Sequence, residues 1–351
     1  MYGKLNLCSS NDYELHCQQE KNRKAETAML KLSLIVPTYN REKYLTKALS
    51  SFLNQSLSPD KYEILIVDNN STDQTALSVR KIMESATVPW KYLPETKRGL
   101  HYVRNRGILE AKGDIVVFGD DDIIASDTWL ENIMQEFDKH PQTGICGGKV
   151  RPLWQSQPEN WVYDYGSPKI HPLFAYLDYG DERLSLYHEY VFGCNFAIRR
   201  DLAIQIGGSF PDTFPPSLKH LSGTGENAMI DNTRKLNYEI IYLPEALVHH
   251  HVDSLRMTLN YFIDRYERWA VEDVFALFRN KEKKQAATEL VQIALDRLSR
   301  LEKDSTNKFN PEYYRIINKR YAYQMIQQTV RVLTDPSLYH YICLVSYLDQ
   351  T

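Results

Sequence analysis

Short apolar runs alternate with amphipathic stretches along the first half of the chain. The apolar runs lie at 32–36, 63–67 and 115–118, and apolar residues recur at helical spacing over 42–55, 73–85 and 101–111. Continuous β-branched and aliphatic runs are typical of parallel strands that are buried on both faces, and parallel strands need helical crossovers. The pattern therefore predicts an α/β fold with a mainly parallel sheet flanked by helices.

The pattern changes near residue 255 and becomes helical. An apolar stripe of one predicted helix consists of Leu259, Phe262, Ile263, Tyr266, Trp269, Ala270 and Val274. Further helices are predicted over 283–303 and 311–334. Residues 1–30 are polar with little periodicity, which indicates an extension. We expect an N-terminal extension over 1–30, a catalytic domain over 31–255 and a helical C-terminal region over 256–351.

Composition narrows the class of protein. The net charge of −3 over 351 residues gives no general attraction to nucleic acid. Five scattered cysteines without metal-site spacing indicate reduced thiols. The polar start shows no signal peptide, and no apolar run approaches the roughly 20 residues that span a bilayer. We therefore expect a cytoplasmic protein.

Three consecutive carboxylates, Asp120–Asp122, follow the apolar run at 115–118. Adjacent carboxylates repel one another, and Mg²⁺ or Mn²⁺ would relieve that repulsion while leaving coordination positions for phosphates. The alternative is a solvated acidic turn or a helix cap. Two other strand ends, at 37–41 and at Asp68, carry polar residues as well. Because ligands gather at the carboxyl ends of parallel strands, this convergence favours a metal site that grips a phosphorylated ligand.

Seven short motifs occur in order along the chain. They are IVPTYNR at 35–41, VDNNSTD at 67–73, RNRG at 104–107, FGDDD at 118–122, GCNFA at 193–197, GEN at 225–227 and YLPEA at 242–246. In this order and spacing, the chain resembles inverting family 2 glycosyltransferases with the GT-A fold, of the bacterial surface-polysaccharide type. The resemblance spans roughly residues 31–255.

The resemblance implies a site for a nucleotide-diphosphate sugar. The residues implied in donor binding are Pro37, Tyr39, Asn40, Asp68, Arg98, Arg104, Asp120 and Asp121. Pro37, Tyr39 and Asn40 would line the nucleoside pocket, Asp68 would accept a hydrogen bond from the base, and the two arginines would approach the base or the diphosphate. Asp120 or Asp121 is expected near the ribose, and Asp122 on Mn²⁺ or Mg²⁺.

The residue that would act as general base is an open question. The family pattern Gly-Glu-Asp ends in the base, whereas this chain has Asn227 at that position, and an amide cannot take a proton as a base. Glu226 is the favoured substitute. Asp231, one helical turn beyond Asn227, is the alternative, and an enzyme that is impaired or acts differently is the third.

Three consecutive histidines follow the last predicted strand. In the family, a histidine at this place can complete the metal site, and neutral imidazole is a sound ligand. Strand alternation puts His249 and His251 on one side and His250 on the other. We expect His249 or His251 to be the ligand, against the alternative that the histidines only form a polar strand exit.

Together these features predict a metal-dependent inverting glycosyltransferase. It would move a sugar, with a UDP-sugar favoured as donor, to a hydroxyl of a glycan or lipid-linked acceptor. One alternative is a non-catalytic nucleotide-sugar-binding protein, which Asn227 supports. The other is a nucleotidyltransferase, and the lack of glycine in 36–43 argues against it.

The C-terminal stripe has two interpretations. Arg256, Arg265 and Arg268 flank it, which suits peripheral contact with the inner face of the plasma membrane. The favoured interpretation is that the stripe packs on the catalytic domain or on a partner subunit in an oligomer.

Overall fold

The computed structural model describes residues 30–210, 225–344, 346 and 348. Apart from residue 30, the N-terminal extension expected over 1–30 lies outside these residues. The described strands form one sheet, whose hydrogen-bonded path runs β3-β2-β1-β4-β10-β6-β11-β5 with β7, β8 and β9 beside it. The strands are β1 (Leu32–Thr38), β2 (Tyr62–Asp68), β3 (Trp90–Pro94), β4 (Ile115–Gly119), β5 (Ile123–Ala125), β6 (Thr143–Trp154), β7 (Ile170–His171), β8 (Tyr176–Leu177), β9 (Leu184–Ser185), β10 (Asn195–Arg199) and β11 (Glu239–Val252).

The helices cover the sheet and then continue beyond it. They are α1 (Glu42–Leu53), α2 (Thr75–Met83), α3 (Leu100–Glu110), α4 (Trp129–Lys139), α5 (Arg200–Gln205), α6 (Gly225–Lys235), α7 (Leu259–Asn280), α8 (Lys283–Ser305), α9 (Pro311–Thr334) and α10 (Pro336–Ile342). Short 3₁₀ turns lie at Asn160–Tyr165, Pro172–Phe174 and Ser254–Met257.

The predicted α/β fold with a mainly parallel central sheet is confirmed. Strands β1, β2, β3 and β4 pair in parallel, as do β6 and β11. All residues of β1 and β2 are buried, as their continuous apolar runs require. Strand β10 lies antiparallel between β4 and β6.

Close packing of α3 on β1 brings the start of that helix to the sheet edge where the site lies. A Cβ atom on Gly107 would lie only 2.5 Å from Cγ2 of Ile35, so glycine is what lets the two backbones approach. The loops after β1 and β2 turn at Asn40 and Asn70, which have φ angles of 52° and 67°. Asparagine tolerates this left-handed region better than most residues.

A second apolar core lies away from the sheet and is built by α7, α8 and α9. Phe262, Tyr266, Ala270 and Val274 of the predicted stripe are buried in it. The 3₁₀ segments of the middle region join the same core through Trp161 and Phe174 and others. No helix in the described part of the chain is both long enough and apolar enough to cross a bilayer.

Candidate active site

The acidic run lies at the carboxyl end of β4, in the turn that leads to β5. Asp121 and Asp122 are buried, whereas the Asp120 side chain is 30% exposed. Arg41, from the loop after β1, pairs with both buried carboxylates. Its Nε lies 3.5 Å from Oδ1 of Asp121 and its Nη2 lies 3.6 Å from Oδ2 of Asp122. The end of β1 therefore supplies a cation to the end of β4.

The electrostatic surroundings separate the two buried carboxylates. Burial and the charge of Asp122 raise the pKa of Asp121 well above its usual value, although Arg41 opposes this. Burial would also raise the pKa of Asp122, but His250, Arg256 and Arg41 outweigh it and hold this pKa below the usual range. Two adjacent carboxyl groups with pKa values pushed in opposite directions are typical of functional sites.

His250, rather than its neighbours, contacts the acidic run. Its Nε2 lies 3.4 Å from Oδ1 of Asp122, and its Nδ1 lies 2.9 Å from the carbonyl oxygen of Phe174. The structure therefore brings His250 to the place where we expected His249 or His251. The His251 ring packs instead against Tyr44, with centroids 5.4 Å apart, and burial and the neighbouring Arg151 lower the pKa of His249.

Arg256 completes the surroundings of Asp122. Its Nη2 lies 3.3 Å from Oδ2 of Asp122 and its Nη1 lies 3.1 Å from Nε2 of His250. Nδ1 of His250 donates to the Phe174 carbonyl, which turns Nε2 towards both Asp122 and Arg256. The guanidinium thus sits between a carboxylate and an imidazole that converge on one point.

Arg104 of α3 connects Asp120 with Glu226. Its side chain is 3% exposed, and its Nη1 and Nη2 lie 3.4 Å from Oε2 of Glu226 and 3.8 Å from Oδ1 of Asp120. The guanidinium also lies 5.1 Å from the ring centroid of Phe118. A Cβ on Gly193 would fall 2.4 Å from Nη2, so the backbone must be glycine to admit this arginine.

Glu226, in the first turn of α6, faces a cavity of about 650 Å³. Besides Arg104, the Gly193 amide donates to its Oε1 at 3.4 Å. Asn227 lines the same cavity. Asp231, by contrast, is 57% exposed and pairs with Arg234 at 3.6 Å. The structure thus brings Glu226 and Asn227 to the cavity together with Asp120, and leaves Asp231 in solvent.

The loop after β1 carries an exposed aromatic ring. Tyr39 is 41% exposed, and the Arg98 guanidinium lies 5.4 Å from its ring centroid. Asn40 ties this loop to the one after β2, because its Oδ1 accepts from the Thr72 amide at 2.8 Å. A planar ligand such as a nucleobase could stack on the Tyr39 ring, either beside the guanidinium or in its place.

Asp68 lies buried at the end of β2, beside that loop. Its carboxylate accepts from the amide of Ser71 at 3.1 Å, from the Ser71 hydroxyl and from the Tyr92 hydroxyl, the last two at 2.5 Å. Pro37 is buried within β1, where it pairs with Val67. A base would reach Asp68 only by sharing the carboxylate with these donors or displacing one.

The donor set suits a divalent cation held by few protein ligands. Asp122 and Nε2 of His250 converge, and the other ring nitrogen of His250 is fixed by a backbone carbonyl, as is usual for a metal-binding histidine. Oδ1 of Asp120 is buried and accepts no hydrogen bond within the described residues. No group of three or more such ligands is preformed there, so the remaining positions would fall to substrate oxygens.

Sequence reasoning missed Arg41 as a site residue and saw Arg256 only as a flank of the helical stripe. A signal for Arg41 existed, because it closes the motif that follows β1. No comparable signal marks Arg256, which reaches Asp122 only because the 3₁₀ turn at Ser254–Met257 folds back towards the sheet.

Comparison with known proteins identifies a family and several relatives. The family model "Glycosyl transferase family 2" matches residues 33–207. A glucosyl-dolichyl phosphate glucuronosyltransferase of Haloferax volcanii is 24% identical over 243 residues, which cover 67% of this chain and 74% of that protein. The poly(ribitol-phosphate) beta-N-acetylglucosaminyltransferase TarS of Staphylococcus aureus is 35% identical over 112 residues, which cover 32% of this chain but only 20% of TarS.

Two solved structures share the fold. TarS 1–349 of S. aureus in complex with UDP-GlcNAc has a TM-score of 0.50 at 18% identity, and the alignment covers 86% of this chain and 92% of the TarS chain. GalNAc-T7 with UDP, GalNAc and Mn²⁺ has a TM-score of 0.50 at 16% identity, and the alignment covers 69% of this chain and 50% of the GalNAc-T7 chain. At these identities the similarity concerns the fold alone.

Proposed function

We propose that this chain, which carries a glycosyl transferase family 2 domain over residues 33–207, transfers a sugar from a nucleotide-diphosphate sugar to an acceptor hydroxyl, with inversion and with the help of a divalent metal. The observation that carries the proposal is that Asp120, Glu226 and His250 line one cavity at the carboxyl ends of the strands. A carboxylate for proton transfer and His250, one of the two proposed cation ligands, therefore face the same space.

Glu226 is the general base in this proposal. Its oxygens are oriented by Arg104 and by the Gly193 amide, and it opens to the cavity where an acceptor would lie. A carboxylate within hydrogen-bond reach of the acceptor hydroxyl can take its proton as the hydroxyl attacks the anomeric carbon.

Asp122 and His250 are the residues that would hold Mn²⁺ or Mg²⁺, with Asp120 towards the ribose. When bound, such an ion neutralises the charge that builds on the departing nucleoside diphosphate. Arg256 must leave the space between the two ligands for this to happen, since its guanidinium contacts both. The Mn²⁺ in the GalNAc-T7 structure supports manganese as the metal.

A UDP-sugar is the favoured donor. Tyr39, Arg98 and Asp68 would bind its nucleoside, and the complex of TarS with UDP-GlcNAc supports the uridine nucleotide. The names of the two relatives specify a dolichyl phosphate and a poly(ribitol-phosphate) acceptor. We propose an acceptor of the same general kind, a glycan or lipid-linked glycan, at the inner face of the plasma membrane.

The test is release of nucleoside diphosphate from a panel of UDP- and GDP-sugars, with Mn²⁺ and with a chelator. We expect metal-dependent release for one donor, at a rate that Glu226→Gln lowers by about 10²- to 10⁴-fold. Asp231→Asn is the matched control on the same helix and should retain the rate. Full turnover by Glu226→Gln would exclude it as base, and tight donor binding without turnover would favour a non-catalytic binding protein.

Metal binding is tested separately from turnover. Titration of Mn²⁺ followed by electron paramagnetic resonance should show binding in the presence of UDP, and Asp122→Asn should weaken it by about 10- to 100-fold. Unchanged Mn²⁺ affinity of Asp122→Asn would show that the ion binds elsewhere.

A further inference from the structure

The cavity of the site continues well beyond Glu226 towards the C-terminal helices. One face of α7 lines it with Tyr261, Arg265, Trp269 and Asp273, which follow one another at intervals of four residues. Arg297 of α8 and Tyr321 of α9 form the wall beside that face. We call these six residues the helical arm of the cavity. The apolar stripe that packs in the second core runs along the adjoining face of α7, and Trp269 belongs to both the stripe and the arm.

Contacts among its own side chains hold the helical arm in place. The Arg297 guanidinium lies 3.9 Å from the ring centroid of Tyr321 and donates from Nε to Oδ1 of Asn318 at 2.7 Å. The Tyr321 hydroxyl donates in turn to Asp273. A binding wall that is ordered before the ligand arrives loses less conformational entropy on binding.

The charges of the helical arm balance when the neighbouring Glu272 is counted with them. Arg265 and Arg297 supply two positive charges, while Asp273 and the neighbouring Glu272, which also lines the cavity, supply two negative ones. A phosphate in this space would meet two carboxylates and would have to be bound against their repulsion. The balance therefore favours a ligand that carries no net charge.

The mixture of group types narrows the ligand further. Tyr261 and Trp269 bring aromatic rings to the wall of the cavity, and the Arg265 guanidinium lies 5.7 Å from the ring centroid of Trp269. Aromatic faces contact the C–H surface of a sugar ring, carboxylates accept from its hydroxyl groups, and guanidinium groups donate to them. A polyhydroxylated ring satisfies all three, whereas an acyl chain could neither donate nor accept a hydrogen bond in this polar space.

We propose that the helical arm binds a neutral sugar residue of the acceptor, so that the hydroxyl to be glycosylated reaches Glu226 at the other end of the cavity. This inference rests on the proposed function, because it assigns the acceptor side of the same site. It gives the C-terminal helices a part in acceptor choice. Sugar recognition would then come from Trp269 through its ring face and from Asp273 through its carboxylate.

Binding of defined probes to the full chain tests the helical arm. The probes are methyl β-glucoside, methyl β-N-acetylglucosaminide and methyl β-galactoside, with glycerol 1-phosphate as the anionic comparison, and saturation-transfer difference NMR in the presence of UDP and Mn²⁺ gives their dissociation constants. We expect at least one glycoside to bind, and Trp269→Leu and Asp273→Asn each to weaken it by roughly tenfold. Tyr323→Ala, an exposed aromatic of α9, is the control and should leave binding within twofold.

Each binding result tests the role of the helical arm separately from the transferase activity. Failure of all three glycosides to bind would overturn the proposal, as would binding that both arm variants leave unchanged. Tighter binding of glycerol 1-phosphate, lost in the arm variants, would replace the neutral sugar by an anionic acceptor group. Hydrolysis of the UDP-sugar is measured in parallel, and its absence from the wild-type chain would instead refute the proposed function.

Discussion

Arg104→Met tests how the site holds two carboxylates in one cavity. The Arg104 guanidinium is almost fully buried and lies 3.4 Å from Glu226 and 3.8 Å from Asp120. Methionine keeps most of the length and the apolar stem and removes the charge together with the N–H donors. The folded protein would then hold two partly buried carboxylates that have lost their shared cation.

The expected cost follows from these distances. Unit charges at such separations attract by roughly 4 to 5 kcal/mol each at an effective dielectric constant of about 20. Desolvation of Arg104 offsets part of this attraction, and water reaches both acids, since the side chains of Asp120 and Glu226 are 30% and 28% exposed. Removal of one partner from a buried ion pair costs about 3–5 kcal/mol. We expect the lower end, about 3 kcal/mol of unfolding free energy.

Urea denaturation followed by circular dichroism measures this cost. Arg106→Met is the matched control, because it removes an arginine from the same helix whose pair with Glu110 is exposed, 38% and 30% for the two side chains. That variant should lose less than about 1 kcal/mol. Combining Arg104→Met with Glu226→Gln should cost less than the sum of the single changes, by roughly 1–2 kcal/mol, since one stranded carboxylate is neutralised.

Two results would refute the reasoning. Arg104→Met could destabilise no more than Arg106→Met, in which case Asp120 and Glu226 do not depend on the buried cation. If instead the double variant loses the full sum of the stability lost by the two single variants, Arg104 and Glu226 do not interact in solution.

Three further predictions concern other parts of the structure. Arg256→Met should tighten Mn²⁺ binding several-fold in electron paramagnetic resonance titrations, because it removes a cation from between the two proposed ligands; weaker binding would contradict this. Gly107→Ala should cost about 1–3 kcal/mol of stability through its clash with Cγ1 and Cγ2 of Ile35, and in thermal denaturation its combination with Ile35→Ala, which removes both atoms, should cost less than the sum of the single changes. Burial raises the pKa of Glu136, but hydrogen bonds from Arg183 and Thr143 and the charge of Arg183 outweigh burial and leave this pKa below its usual value. Arg183→Met should therefore lower the free energy of unfolding by roughly 2 kcal/mol at pH 7, where Glu136 is ionised in both the folded and the unfolded state. The loss should shrink as the pH falls towards 3.5. An equal loss at both pH values would show that the charge of Glu136 does not contribute.

The parts of the site that follow parallel strands could be predicted from sequence. Apolar runs are local signals, and the carboxyl ends of such strands meet at one edge, so the amino-acid pattern alone places Asp68 and Asp120–Asp122 at that edge. The buried face of α7 could likewise be predicted from its 3.6-residue period. The roles assigned to these side chains, and the boundary at residue 255, stay predictions.

The choice among the three histidines could not be read from the sequence. Counting alternate residues works only when a strand keeps its register, and β11 shifts against β6 between Leu243 and Val248. The orientation of His250 depends on where that irregularity falls, which is a matter of long-range pairing. Asp231 does not reach the cavity, for a simpler reason. Four residues of helix add about 6 Å along the axis, which carries it away from the helix start that faces the site.

The contact between Phe174 and His250 bears on how such enzymes can be recombined. The Phe174 ring packs in the core built by α7 to α9, while its carbonyl oxygen fixes the His250 ring. A chimaera that exchanged only residues after 255 would set a foreign helical core against the native Phe174 and disturb the orientation of that imidazole. The exchangeable unit is discontinuous in sequence, since the segment around residues 160–174 must travel with the C-terminal helices.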